Sequence, residues 1–286
     1  VISLRMDYLA QDSQPLAILD SPDKAYIARY SLGRDYHKLI RKRLSTLARR
    51  IQTETGEGAY RAFTDSAPIL ERAIAEQAGL GWIAKNTMLI NSTAGSWFFL
   101  GEIYTDLPLT TDSPQTSAHC GSCTSCLDTC PTGAFVGPFR LDARKCISYL
   151  TIEHAGSIDV ALRPLMGNRI FGCDDCQLCC PWNKFAQSTV EPDFQPRHQL
   201  ADSKLVDLFL WDEQTYLATT EGSALRRIGH HRWLRNLAIA LGNAPSSPQV
   251  VSALKSRLEF PSPLVREHVA WALEQHRARG TINPVD

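Results

Sequence analysis

No run of apolar residues in this chain reaches the roughly 18 needed to cross a bilayer as a helix. The first residues, Val1-Ile2-Ser3-Leu4-Arg5-Met6, have neither the basic start nor the apolar centre of a secretory signal. Neither a membrane span nor export is expected, and a cytoplasmic location is. The composition also argues against disorder, with 44% apolar and 21% charged residues. Overall charge is absent too, because 30 basic residues balance 30 acidic ones. Locally, however, acids are missing in two long stretches, from Asp35 to Glu54 and from Glu221 to Glu259. Cysteine is confined to the interval between Cys120 and Cys180. At 286 residues the chain should hold two or three modules, or one large domain with a smaller one appended. It opens at Val1 in strand-like sequence, without Met, so an upstream segment is expected.

The nine cysteines form a poor disulfide framework, being odd in number and crowded into one interval. Metal is the better explanation. Cys120-x2-Cys123-x2-Cys126-x3-Cys130-Pro131 has the bacterial ferredoxin spacing, in which the fourth cysteine serves the other of two [4Fe–4S] clusters. Cys173-x2-Cys176-x2-Cys179-Cys180-Pro181 forms a second run, and Cys146 stands between the two. Structural zinc prefers two separated C-x2-C pairs, so this pattern points to two clusters. Eight ligands are needed from nine thiols. A duplicated ferredoxin would use Cys173, Cys176 and Cys179. Cys176-x3-Cys180-Pro181, however, copies the step from Cys126 to Cys130-Pro131. Cys179 and Cys180 are adjacent, so one of them is spare. If Cys180 crosses to join Cys120, Cys123 and Cys126, the second cluster holds Cys130, Cys173 and Cys176 and needs Cys146.

Before the cysteines, helices and strands alternate, which predicts an α+β domain. Residues 1–9 and 25–31 read as strands. Asp35 can cap a helix to about residue 52, with Ile40, Leu44, Leu47, Ala48 and Ile51 at helical spacing. Lys38, Arg41, Lys42, Arg43, Arg49 and Arg50 would form its surface, either as a solvated face or for an anionic partner. A second helix is expected over 67–79, opened by Pro68, with Asp65 placed as its cap or first-turn charge. Segments 87–91 and 97–106 read as a hairpin. After Pro181 the texture becomes helical, with helices expected over 221–241 and 263–275. The second of these resembles a HEAT-type repeat helix, of the kind that builds curved docking surfaces. Arg226, Arg227, Arg232 and Arg235, with His230 and His231, supply positive charge that suits nucleic-acid phosphates.

These residues together resemble the epoxyqueuosine reductase family. The resemblance rests on Arg34-Asp35-Tyr36-His37, on Asp65 followed by Gly79-Leu80-Gly81-Trp82-Ile83-Ala84-Lys85-Asn86-Thr87, and on both cysteine runs. It also covers Cys146-Ile147-Ser148-Tyr149-Leu150-Thr151-Ile152-Glu153 and Cys180-Pro181-Trp182-Asn183. It implies three domains: an α+β cobalamin-binding domain over 1–112, a ferredoxin-like domain with two [4Fe–4S] clusters over 113–190, and HEAT-like helices docking tRNA over 191–286. The family commonly has an apolar residue in place of Cys179, which implies that Cys179 is the spare.

The implied reaction is reductive deoxygenation of epoxyqueuosine to queuosine in tRNA, with base-off cobalamin and electrons from an external low-potential donor. Asp65 is the implied proton donor, which requires a raised pKa. Tyr30, Lys85, Asn86, Ser148 and Tyr149 are implied near the cobalamin or the substrate, and the enzyme is expected to be a monomer. Two other classes share parts of the pattern. A reductive dehalogenase-like enzyme would act on a small molecule without basic helices, and a bare two-cluster electron carrier would not need the long flanking segments.

Overall fold

A computed structural model describes residues 1–11, 13–115 and 119–280. The N-terminal region runs through β1 (Ile2–Asp7), α1 (Pro15–Leu19), β2 (Tyr26–Ile27), α2 (Tyr36–Thr55), β3 (Tyr60–Phe63) and α3 (Glu71–Gln77). It continues with β4 (Trp82–Ile83), β5 (Leu89–Ile90) and β6 (Phe98–Thr105). The cysteine-rich region holds α4 (Ser125–Asp128), β7 (Phe135–Gly137), β8 (Arg140–Leu141), α5 (Ile147–Ile152), β9 (Arg169–Phe171) and α6 (Asp175–Leu178). Helices follow: α7 (Leu205–Phe209), α8 (Glu213–Thr219), α9 (Gly229–Asn243), α10 (Pro248–Lys255) and α11 (Pro263–Ala278).

Strand β6 is the centre of an antiparallel sheet of order β1-β6-β3. Its alternating side chains feed two layers. Phe99 and Ile103 join Ile40, Leu44 and Tyr36 under α2, while Phe98 and Leu100 pack with Ala75 of α3. Helix α2 lies close because β6 has Gly101 at the contact, where a Cβ would come 2.8 Å from the Leu44 side chain. The helix itself starts where expected, since the Asp35 side chain accepts the His37 amide, and it ends at Gly56 with φ 73°. Tyr36, Ile40, Leu44 and Ala48, four residues apart, form its buried stripe.

Three expectations for the N-terminal region need correction. The hairpin of 87–91 with 97–106 does not form: β5 pairs with β4, and β6 pairs with β1 and β3. A strand buried on both faces takes two long partners in place of its sequence neighbour. The strand over 25–31 shortens to β2, which runs parallel to β9, and a 3-10 turn over Arg29–Ser31 follows. The helix expected from residue 67 begins at Glu71, with Leu70 at the cap position. Asp65 therefore caps nothing and sits in an irregular turn at φ 54°.

The helix expected over 221–241 divides at Gly229, φ 72°, into a 3-10 segment, Ala224–Ile228, and α9. Helix α9 is buried nearly all round. Trp233, Leu234, Leu237, Ala238 and Leu241 share a core with Val265, Val269, Ala272 and Leu273 of α11. That core continues into Ile27, Ile152, Ile170 and Phe171, so the helical region and the cysteine-rich region are packed as one.

Candidate active site

The second cysteine run starts from a strained corner. Asp174 is buried at φ 67°, and its Oδ2 accepts the Tyr26 hydroxyl at 2.9 Å and the Arg29 amide at 2.8 Å. These bonds fasten α6 to β2 and aim Cys173 and Cys176 inward. Asp175, paired with Arg169 at 2.5 Å, also accepts the Cys173 thiol at 2.6 Å. Cys179 ends α6, and Cys180 opens the 3-10 turn that follows.

Eight cysteines divide between two cavities. Cys120, Cys123, Cys126 and Cys180 line the first, of about 370 Å³, together with Trp182 and Phe185. Trp82 packs edge-on against Trp182 at 5.0 Å behind it. Lys85 Nζ donates to the Gly121 and Cys123 carbonyls at 2.7 and 2.9 Å, clamping the exposed ligand loop. Cys130, Cys146, Cys173 and Cys176 line the second cavity, of about 480 Å³. Cys179 lines neither. Among the described residues no three Cys, His, Asp or Glu side chains converge as on a single ion, so each set surrounds a space. Desolvation pushes the Cys173 and Cys176 thiols well up, and bound iron would offset that cost by coordinating them as thiolates.

The second cavity has another wall. Tyr8, Tyr30, Tyr36, Phe98 and Phe99 face the cysteines across it, and Asn86, Ser148 and Tyr149 add polar groups at its margin. Asn86 lines both cavities, donating to the Cys176 carbonyl at 3.0 Å. Four of the five residues assigned to the cofactor thus meet in one place, and Lys85 lies at the first cavity instead. An aromatic wall with few polar groups suits a flat macrocycle.

Tyr30 and Tyr36 also open onto a third cavity, of about 330 Å³, between the first turn of α2 and the loop before α9. His37, Lys38, Arg226 and Arg227 line it. Arg226 and Arg227 are exposed, and Arg227 is paired with Glu153 at 2.8 Å. Arg232 is half-buried and bonds the Ile228 and Ile152 carbonyls. Arg235 is fully buried, which corrects its assignment as a phosphate contact. Its guanidinium donates to the carbonyls of Leu150, His154 and Gly156 at 2.7 to 2.8 Å, tying α9 to α5 and the chain after it.

Asp65 is bonded to Tyr36, which lines both the second and the third cavity, and to His37, which lines the third. Its Oδ2 accepts the Tyr36 hydroxyl at 2.5 Å and lies 3.0 Å from His37 Nε2. His37 Nδ1 lies 2.7 Å from Asp35 Oδ1, so the imidazole bridges two carboxylates. Those two bonds, Asp35 first and then Asp65, push His37 up to about 9. In return His37, followed by Tyr36, holds Asp65 below the usual carboxylate range. The raised pKa expected of Asp65 is thus reversed, and the proton resides on His37. Sequence reasoning had Tyr36 and His37 only as part of a motif. Their place in the first turn after a capping Asp35 was the available signal, but the partner 28 residues away was not visible.

The chain matches a family model described as "Epoxyqueuosine reductase QueG, DUF1730" over residues 1–66, and a 4Fe-4S double cluster binding domain over 119–183. It is 64% identical to the epoxyqueuosine reductase of Pseudomonas aeruginosa over 276 residues, 96% of this chain and 76% of that one. Among solved structures it resembles epoxyqueuosine reductase with an epoxyqueuosine-modified tRNA-Tyr stem loop, with TM-score 0.85 and 31% identity over 96% of this chain and 72% of that one. It resembles the Bacillus subtilis epoxyqueuosine reductase with its catalytic loop swung out of the active site at TM-score 0.82, with the same identity and coverage.

Proposed function

The chain belongs to the epoxyqueuosine reductase family, and on that premise we propose which of its residues carry the reaction. The activity is reductive conversion of epoxyqueuosine in tRNA, by an oxidoreductase with an iron–sulfur binding domain. The balance is epoxide, two electrons and two protons giving alkene and water. Cobalamin, when bound in its base-off form, supplies a metal centre that can act directly on carbon, which clusters passing single electrons do not.

Cys120, Cys123, Cys126 and Cys180 hold one [4Fe–4S] cluster, and Cys130, Cys146, Cys173 and Cys176 hold the other. The observation that carries this reading is the separation of these eight cysteines onto two cavity walls with Cys179 on neither. Cys123 is exposed, so the first cluster faces the external low-potential donor. The second would form one wall of the central cavity, where Tyr30, Asn86, Ser148 and Tyr149 would hold the cobalamin. Lys85 keeps the first ligand loop in place.

Asp65 delivers the proton to the departing oxygen. It need not store that proton, because His37 holds one at 3.0 Å and is itself steadied by Asp35. Tyr36 fixes the carboxylate from the other side. Lys38, Arg226 and Arg227 face the tRNA backbone across the third cavity, where phosphate contacts position the ligand without reading its sequence. A dehalogenase-like reading leaves this cationic cleft without a use.

On this reading 1–112 is the cobalamin-binding domain, 113–190 the two-cluster domain and 191–286 the HEAT-like tRNA support, of which 281–286 lie outside the described residues. The enzyme works as a cytoplasmic monomer. Titrating the anaerobic, cluster-loaded chain with cobalamin tests the central assignment. A corrin spectral change that weakens in Asn86→Ala and Tyr149→Ala is expected, and no change in the wild-type chain overturns it.

A further inference from the structure

Strand alternation on β6 sends Glu102 to the same side as Phe98 and Leu100, into the apolar layer under α3. The Glu102 side chain is fully buried. Its neighbours across the sheet are Ser3 on β1 and Phe63 on β3. Ser3 Oγ donates to Oε1 at 3.4 Å, while Oε2 finds no protein hydrogen-bond donor. Glu71, a second carboxylate at the start of α3, faces Glu102, while the basic groups on the same sheet face are engaged elsewhere, Arg5 with Asp7 and Arg61 over the Phe63 ring. Glu71 in turn faces Asp65 and His37, and its Oε1 accepts the Asp65 amide at 2.5 Å.

A fully buried carboxylate with one oxygen lacking a donor and a second carboxylate beside it does not stay ionised together with that neighbour. One proton between them turns the orphaned oxygen into a donor and removes the repulsion. We propose that Glu102 and Glu71 share one proton and act as positioning residues, holding the strained Asp65 turn so that its carboxylate reaches Tyr36 and His37. Burial, reinforced by Glu71, raises Glu102 to about 8, which sets where the shared proton is lost. Above that pH the like charges separate, Glu71 releases the Asp65 amide, and a turn held at φ 54° is free to open.

The catalytic consequence rests on Asp65 being the proton donor, whereas the latch itself does not. Amide hydrogen exchange across 62–70 of the full chain, corrected for intrinsic rates, tests the latch without turnover. From pH 8 to 9 the protection of the Asp65 amide should fall about fivefold, following the protonated fraction of the pair. Glu102→Gln, whose amide is a permanent donor to Glu71, should keep protection constant over that range. Glu102→Ala should lose it already at pH 7.

In turnover, Glu102→Gln should remove the fall in kcat near pH 8 and leave KM for tRNA unchanged. Wild-type and Glu102→Gln chains with the same exchange profile would overturn the proposal. A Glu102→Gln exchange profile as expected, with no matching change in kcat, would keep the latch and overturn Asp65 as donor.

Discussion

His37 Nε2 lies 3.0 Å from Asp65 Oδ2, and under the proposed role of Asp65 as proton donor this contact sets where its proton is kept. An imidazolium beside a carboxylate can refill it after each delivery, so Asp65 can act as an acid without apolar surroundings of its own. The pair also has a stability signature. His37 is raised, so its contribution is complete below its unfolded value, near 6.5, and is lost as pH rises through about 9. Asp35 and Asp65 are lowered, so theirs is present above the ordinary carboxylate range and is lost as pH falls below it.

Replacing His37 by Gln should therefore flatten the melting temperature between pH 6.5 and 9, compared with a decline in the wild-type chain. Thermal unfolding of both across that range checks it. Identical slopes would mean that His37 is not charged in the folded chain.

The cavity assignment makes a sharper prediction for adjacent cysteines. Anaerobically prepared protein should carry close to eight irons and eight acid-labile sulfides, as two [4Fe–4S] clusters require. Cys146→Ala and Cys180→Ala should each lose about half of the iron, and Cys179→Ala should lose none. Iron and sulfide analysis decides it, and loss on Cys179→Ala with retention on Cys146→Ala would restore the duplicated ferredoxin pattern.

Much of this site was legible in the sequence because it is local. Ligand spacing, the Asp35 cap and the apolar stripe of α2 are each set within a few residues. What was not legible depends on contacts across the chain. The residues 87–91 and 97–106 look like a hairpin until β1 and β3 claim β6. Asp65 looks like a cap until the irregular turn and Tyr36 are seen. Arg235 looks like surface because a count of charges does not say which side of α9 is covered, and here nearly every side is.

That last point separates two arginine classes. Arg226→Ala with Arg227→Ala should weaken tRNA binding and reduce its salt slope by about one ion for each lost phosphate contact. Arg235→Ala should instead destabilise the chain by about 2 kcal/mol or more, since it leaves the buried Leu150 carbonyl and the partly buried His154 and Gly156 carbonyls without this donor. Its effect on the salt slope should be absent. Binding measured at two salt concentrations, alongside urea unfolding, distinguishes them.

The most direct test is a single turnover of epoxyqueuosine-containing tRNA by Asp65→Asn, with cobalamin and both clusters loaded. Helix α3 begins at Glu71, so this change removes no cap, and Asn is among the residues that tolerate positive φ. The rate of queuosine formation should fall at least about 100-fold with cofactor content unchanged, the lower end of what a general acid contributes. A near wild-type rate from a folded, fully loaded Asp65→Asn protein would contradict the account.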